Sequence, residues 1–240
     1  MAAKTTPTND YGAYELTFTN IEVSNQSAFT LGTILLGAWG LAIRHFDSQD
    51  RDIYVMRLSS GRQAPVARLE NTPGLCTVEM PMPVRIKKSQ SISEFLSELQ
   101  NHCSESVPYE HFGVENIANL LPEDEINDIL DPSTLMIPHA VQTSGTGENT
   151  NVASLMEHAP EVWQPEESIR GFTTSNLSMH CQLRQDSIQI SASHRASVLS
   201  SAEVKALYEY LESAVLAICE HQETGVSELI DHLDSKHPLI

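Results

Sequence analysis

The chain has 240 residues, 40% of them hydrophobic and 6% aromatic, a composition that fits a folded core and excludes a disordered polymer. Its 32 acidic residues against 14 basic ones leave a net charge of −18. That charge disfavours DNA, RNA or anionic lipid as partners, because phosphate binding needs clustered Lys and Arg.

Four cysteines, Cys76, Cys103, Cys181 and Cys219, are widely spaced with no CxxC pair and no metal-finger spacing, so reduced thiols and a cytoplasmic location are expected, with no metal. The first eight residues are polar and lack an apolar signal core. The longest apolar run, Leu31–Ile43, has 13 residues, short of the roughly 20 that a membrane span requires. A soluble protein is expected.

Residues 1–12 read as a flexible leader, and residues 13–235 as one domain. From Tyr14 to Val23 the chain alternates as a strand does, with Tyr14, Leu16 and Phe18 on one side. Thr30 is an N-cap for a helix whose apolar positions Leu31, Ile34, Leu35, Ala38, Trp39, Ala42 and Ile43 cover most of its surface. Such a helix belongs against a sheet. Asp52–Leu58 reads as a buried strand. Thr77–Ile86 reads as another, placed at an edge or bulged because Pro81 and Pro83 cannot donate to a ladder. Ser91-Ile-Ser-Glu94 has the form of a capping box and opens a helix with Ile92, Phe95, Leu96 and Leu99 facing inward.

A short helix is expected within 116–128, and a short central strand at Thr134–Ile137. Residues 142–170 lack any apolar period and are turn-rich, as in a polar loop. Two strands, 174–183 and 187–193, then form a tight hairpin. A long helix, Ser201–His221, carries the stripe Val204, Leu207, Tyr208, Leu211, Val215, Leu216 and Ile218, and a short helix at Val226–Leu233 ends the fold. This order predicts a single α/β sandwich, a mixed sheet with helices mainly on one face.

Several segments occur in a recognisable order: Ala38-Trp39 in the apolar helix, Ser60-Gly61-Arg62, the Pro73-Gly74 stretch through Pro81, Pro108-Tyr-Glu-His-Phe-Gly113 with Glu115-Asn-Ile117, and Ser133–Pro138. The series resembles the C-terminal lobe of the condensation domains of fungal non-ribosomal peptide synthetases. It departs from that pattern at Leu75, Glu79, Pro83 and His139. The resemblance implies a chloramphenicol-acetyltransferase-like half-domain. In that family two lobes enclose a tunnel for the phosphopantetheine arms of carrier proteins. The catalytic motif of the family, HHxxxDG, belongs to the other lobe, and no His-His pair exists in this chain. By the same resemblance Ser60, Arg62 and Asn116 are tunnel or lobe-interface positions.

His139, after a central strand and before the polar loop, is the leading candidate for a catalytic base, since ligands gather at strand ends and imidazole titrates near neutrality. His180 and His194, on the hairpin strands, are alternatives. His180 neighbours Cys181, but adjacent strand residues face opposite ways, so no Cys-His nucleophile forms. Glu110 and His111 are adjacent, and on a helix they would diverge by about 100°. They are read as a helix start with Glu110 favoured by the macrodipole.

Three functions compete. The chain is a condensation-type half-protein in secondary-metabolite biosynthesis, partnered by an N-terminal lobe and a phosphopantetheinyl carrier protein. Alternatively it is a free-standing enzyme, homodimeric with a second copy, performing cyclisation, rearrangement or acyl transfer on a small-molecule metabolite without metal or cofactor. The third reading is a non-catalytic binding or scaffold subunit.

Overall fold

The computed structural model describes residues 11–19, 28–47, 53–59, 61–62, 65–69, 73–74, 76–122, 133–136, 176–183 and 187–238. Residues 1–10 of the expected leader, and the polar loop at 142–170, lie outside the described residues.

Among the described residues six strands form one mixed sheet: β1 (Tyr11–Thr19), β2 (Ile53–Ser59), β3 (Val78–Val84), β4 (Ser133–Met136), β5 (Leu177–Leu183) and β6 (Ser187–Arg195). Their spatial order is β1-β6-β5-β4-β2-β3. The outer pairs are antiparallel, while β2 with β4 and β4 with β5 run parallel. Strand β3 sits at the edge, as its prolines require. In the antiparallel register Met56 faces Pro81 and Tyr54 faces Pro83. Two positions of equal parity turn the same way, so both proline nitrogens can point to the outer edge, where a missing N–H breaks no ladder bond.

The helices among the described residues are α1 (Leu31–Phe46), α2 (Ile92–Ser106), the short α3 (Val114–Ala118), α4 (Ser201–Glu220) and α5 (Val226–Lys236). Thr30 caps α1 through its hydroxyl, which accepts from the Thr33 amide. Reciprocal capping boxes start α2, with Ser91 and Glu94, and α4, with Ser200 and Glu203. Every residue of α1 from Thr33 to Ala42 is buried, because the helix packs at once against β2, β3, α2 and α4. The expected broad apolar surface is therefore used on all sides. Helix α4 covers β1 and carries α5.

The stripe of α4 differs at one position. Leu216 is exposed, while Tyr210 and Ala214 are buried with Val204, Leu207, Tyr208, Leu211, Val215 and Ile218. Leu216 lies one residue, about 100°, past Val215 and so leaves the buried face.

Facing these helices, Val55, Met82, Val84, Met179, Cys181, Ile190 and Ala192 close the core from the sheet side. Polar ties then fix the helix ends. The Asp234 Oδ1 accepts from the Tyr210 hydroxyl at 3.0 Å and from the His45 Nδ1 at 2.8 Å, joining α5 to α4 and α1. The turn between α4 and α5 caps α2: the Ile92 and Ser93 amides donate to Thr224 and Gln222 carbonyls, each at 2.9 Å. Those amides are among the orphan donors of a helix start.

Candidate functional site

Parallel strands share a direction, so the carboxyl ends of β2, β4 and β5 reach one edge of the sheet. The register puts Leu58 beside Met136 and Met136 beside His180. Ligands of α/β sheets collect at such an edge. Just beyond Leu58 stands the Ser59–Arg62 turn. His139 follows Met136 by three positions in sequence and, like Ser60, lies outside the described residues. The strand that leads to His139 therefore leaves the sheet beside the strand that leads to the turn.

The turn is built from Gly61 outward. Its φ is +63°, a left-handed conformation that costs a residue bearing a Cβ about 1–2 kcal/mol. A Cβ there would also lie 1.9 Å from the Cys76 carbonyl oxygen, so only glycine fits. The Ser59 hydroxyl accepts from the Gly61 amide at 3.2 Å and donates to Glu110 Oε1 at 2.7 Å. On the other side His111 Nε2 lies 2.7 Å from the Gly61 carbonyl oxygen. A carbonyl only accepts, so this nitrogen carries the proton. Arg62 reaches across the following loop, donating to the Leu69 and Gly74 carbonyls at 3.0 and 2.8 Å.

This geometry corrects the reading of Glu110 and His111. They are not the start of a helix. A 3₁₀ turn, Val107–Tyr109, precedes them, and both side chains meet the same four-residue turn at different atoms. Glu110 is 2% exposed, and its Oε2 has no hydrogen-bond partner among the described residues. Around the buried Glu110 the segment turns apolar side chains outward: Tyr109 is 67% exposed, Phe112 47% and Leu120 75%. Asn116 is exposed and donates to the Phe112 carbonyl at 2.6 Å, holding the same segment. Sequence reading missed Ser59, Glu110 and His111 as one unit. The available signal was the two motifs themselves, fifty residues apart and without a local reason to coexist.

Chemically the described groups form an anchored turn. The Ser59 hydroxyl is buried and bonds a carboxylate and an amide of the same assembly, so its bonds serve to hold the turn. Among the candidate histidines, His180 sits level with Met136 on the central strands. His194 is at the far end of the sheet, paired with Leu177 and Gly12 at the start of β5. The structure thus separates His194 from the turn.

The His194 ring is buried against Gly12, and neither nitrogen has a hydrogen-bond partner among the described residues. Burial lowers its pKa from the ordinary 6.5. The unfolded chain then takes up this proton first as pH falls, so the contribution of His194 to stability is present above pH 6.5 and lost below it. Thermal melts between pH 7.5 and 5 are expected to show a falling Tm, with a shallower fall in His194→Leu. An identical slope in the variant would assign the effect elsewhere, for instance to His237, whose pKa burial also lowers.

Comparison with known proteins agrees with this architecture. A family model described as "Condensation domain" matches residues 15–236. The nonribosomal peptide synthetase inpB of Emericella nidulans is 27% identical over 201 residues, covering 83% of this chain and 8% of that protein. The synthetase imqB of Aspergillus flavus is 30% identical over 187 residues, 76% of this chain and 5% of that one. Among solved structures, the first condensation domain of the CDA synthetase superposes with a TM-score of 0.63 at 11% identity, over 90% of this chain and 47% of that one. A four-domain nonribosomal peptide synthetase bound to AMP and glycine gives 0.67 at 10% identity, over 90% and 17%. The chain spans less than a tenth of the two synthetases and about half of the solved condensation domain. With a mixed six-stranded sheet, a buried central helix and a sequence match running from β1 to the last helix, the chain belongs to the condensation-domain family.

Proposed function

We propose that this chain acts as the C-terminal half of a condensation-type acyl-transfer unit in peptide natural-product assembly, paired with an N-terminal lobe and a thioester-loaded carrier protein. The observation that carries this reading is coverage: nine-tenths of the chain superposes on just under half of a solved condensation domain. The exposed Tyr109, Phe112 and Leu120 supply the apolar surface that a partner lobe would bury, on the segment that Asn116 braces and that Glu110 and His111 bond to Ser59 and Gly61. No His-His pair exists to supply HHxxxDG, so the chemistry falls to the partner.

Mixing the purified chain with the N-terminal lobe of the inpB condensation domain is expected to give a one-to-one complex in light scattering. The chain alone is expected to form no amide between two loaded carrier proteins. Joint replacement of Tyr109 and Phe112 by serine should weaken the complex by about tenfold or more, with little change in Tm. Amide formation by the chain alone, or refusal of the lobe at high concentration, would overturn the reading.

A second reading, a free-standing homodimeric enzyme for cyclisation, rearrangement or acyl transfer, is favoured by one feature. Strand β4 ends beside β2 at the carboxyl edge, three residues before His139. With His139 as general base, His139→Ala lowers turnover by about 10²–10⁴-fold at unchanged stability. His180→Ala and His194→Ala then do much less. Full activity of the His139→Ala protein would remove His139 from the chemistry.

A further inference from the structure

We propose that Glu110 and His111 are positioning residues that hold the Ser59–Arg62 turn as one rigid contact element for the partner lobe. The inference rests on the proposed function, in which the surface around Tyr109 and Phe112 meets the N-terminal lobe.

Stability alone gives no reason for Glu110. A buried carboxylate with a single donor among the described residues is less favourable than an apolar residue of similar volume. What a carboxylate supplies is direction. It only accepts, so the Ser59 O–H must turn toward it at 2.7 Å. The lone pairs of that hydroxyl are then left for the Gly61 amide. His111 acts on the opposite side, where its Nε2–H holds the Gly61 carbonyl at 2.7 Å. The two peptide groups flanking left-handed Gly61 are therefore gripped by neighbours in sequence, Glu110 and His111. Gly61 is also pressed against the Cys76 carbonyl. The turn is free to move only if the 107–113 segment moves with it. That segment is the one presenting Tyr109 and Phe112 outward, so the proposed contact surface and the turn shift as one body.

Two substitutions separate positioning from mere support. Glu110→Gln keeps the volume but offers an amide N–H₂, which can reverse the direction of the Ser59 hydroxyl. His111→Gln keeps an N–H donor for the Gly61 carbonyl, whereas His111→Ala removes it. In the ¹⁵N-labelled full chain, the Gly61 amide is expected to exchange about tenfold faster or more in Glu110→Gln and His111→Ala. His111→Gln should restore the slow rate, and wild-type His111 should show the Nε2–H tautomer. Affinity for the N-terminal lobe should fall by a similar factor in the first two variants and recover in His111→Gln, with Tm nearly constant across the set.

Unchanged Gly61 exchange in both disruptive variants would overturn the inference. So would an affinity that follows Tm in every variant, His111→Gln included. If the wild-type chain does not bind the lobe, the proposed function fails, and the positioning role is then decided by the exchange rates and the His111→Gln rescue.

Discussion

Replacing Gly61 with alanine is expected to destabilise the protein by about 3 kcal/mol or more, among the largest effects available outside the core. Two costs combine. The left-handed φ of +63° is strained for any residue with a Cβ. The new methyl would also stand 1.9 Å from the Cys76 carbonyl oxygen and 3.2 Å from His111 Cε1. A backbone oxygen cannot swing aside as a side chain can, so the loop itself must shift, and the Ser59 and His111 bonds go with it. Gly225→Ala is the control: no atom lies within 4 Å of its added Cβ, and its φ is −69°. Urea unfolding with an unchanged slope should show a large midpoint shift for Gly61→Ala and a small one for Gly225→Ala. Equal shifts would mean that the turn is not the rigid element described.

Trp39→Ala is expected to cost about 3–5 kcal/mol. The side chain is fully buried at the centre of α1, where Leu35, Leu36, Ala38 and Ala42 are buried on every side of it. A helix with one packed face could tilt to fill part of the void. This helix contacts β2, β3, α2 and α4 together, so collapse toward one neighbour opens a gap against another. Chemical denaturation measures the loss directly, and a value below about 1.5 kcal/mol would indicate a site that relaxes freely.

Much of the fold was legible because its signals are local. Thr30, Ser91 and Glu94 announce helix starts through hydrogen bonds that span only three residues. Pro81 and Pro83 place β3 at an edge because the missing donor is a property of the residue itself. The parity of Tyr14, Leu16 and Phe18 corresponds to the observed register, which pairs them with Ala192, Ile190 and Ile188. The site was less legible. Helical spacing would make Glu110 and His111 diverge, whereas they follow a 3₁₀ turn and reach one distant loop. His180 and His194 looked equivalent on adjacent strands, until the hairpin register placed them at different levels of the sheet.

Residue chemistry read along the chain settles the composition of this protein: an acidic α/β sandwich, helix caps, a proline-marked edge strand, and the absence of any His-His pair. These follow from interactions within a few residues, whose geometry the backbone dictates. Tertiary structure alone decided that β2, β4 and β5 end together, that Tyr210 and Ala214 are buried beside the α4 stripe, and that two motifs fifty residues apart close on Gly61. Each of these depends on which elements lie side by side. That choice is made by burying the whole surface of α1 at once, a global packing problem that no local window of residues contains.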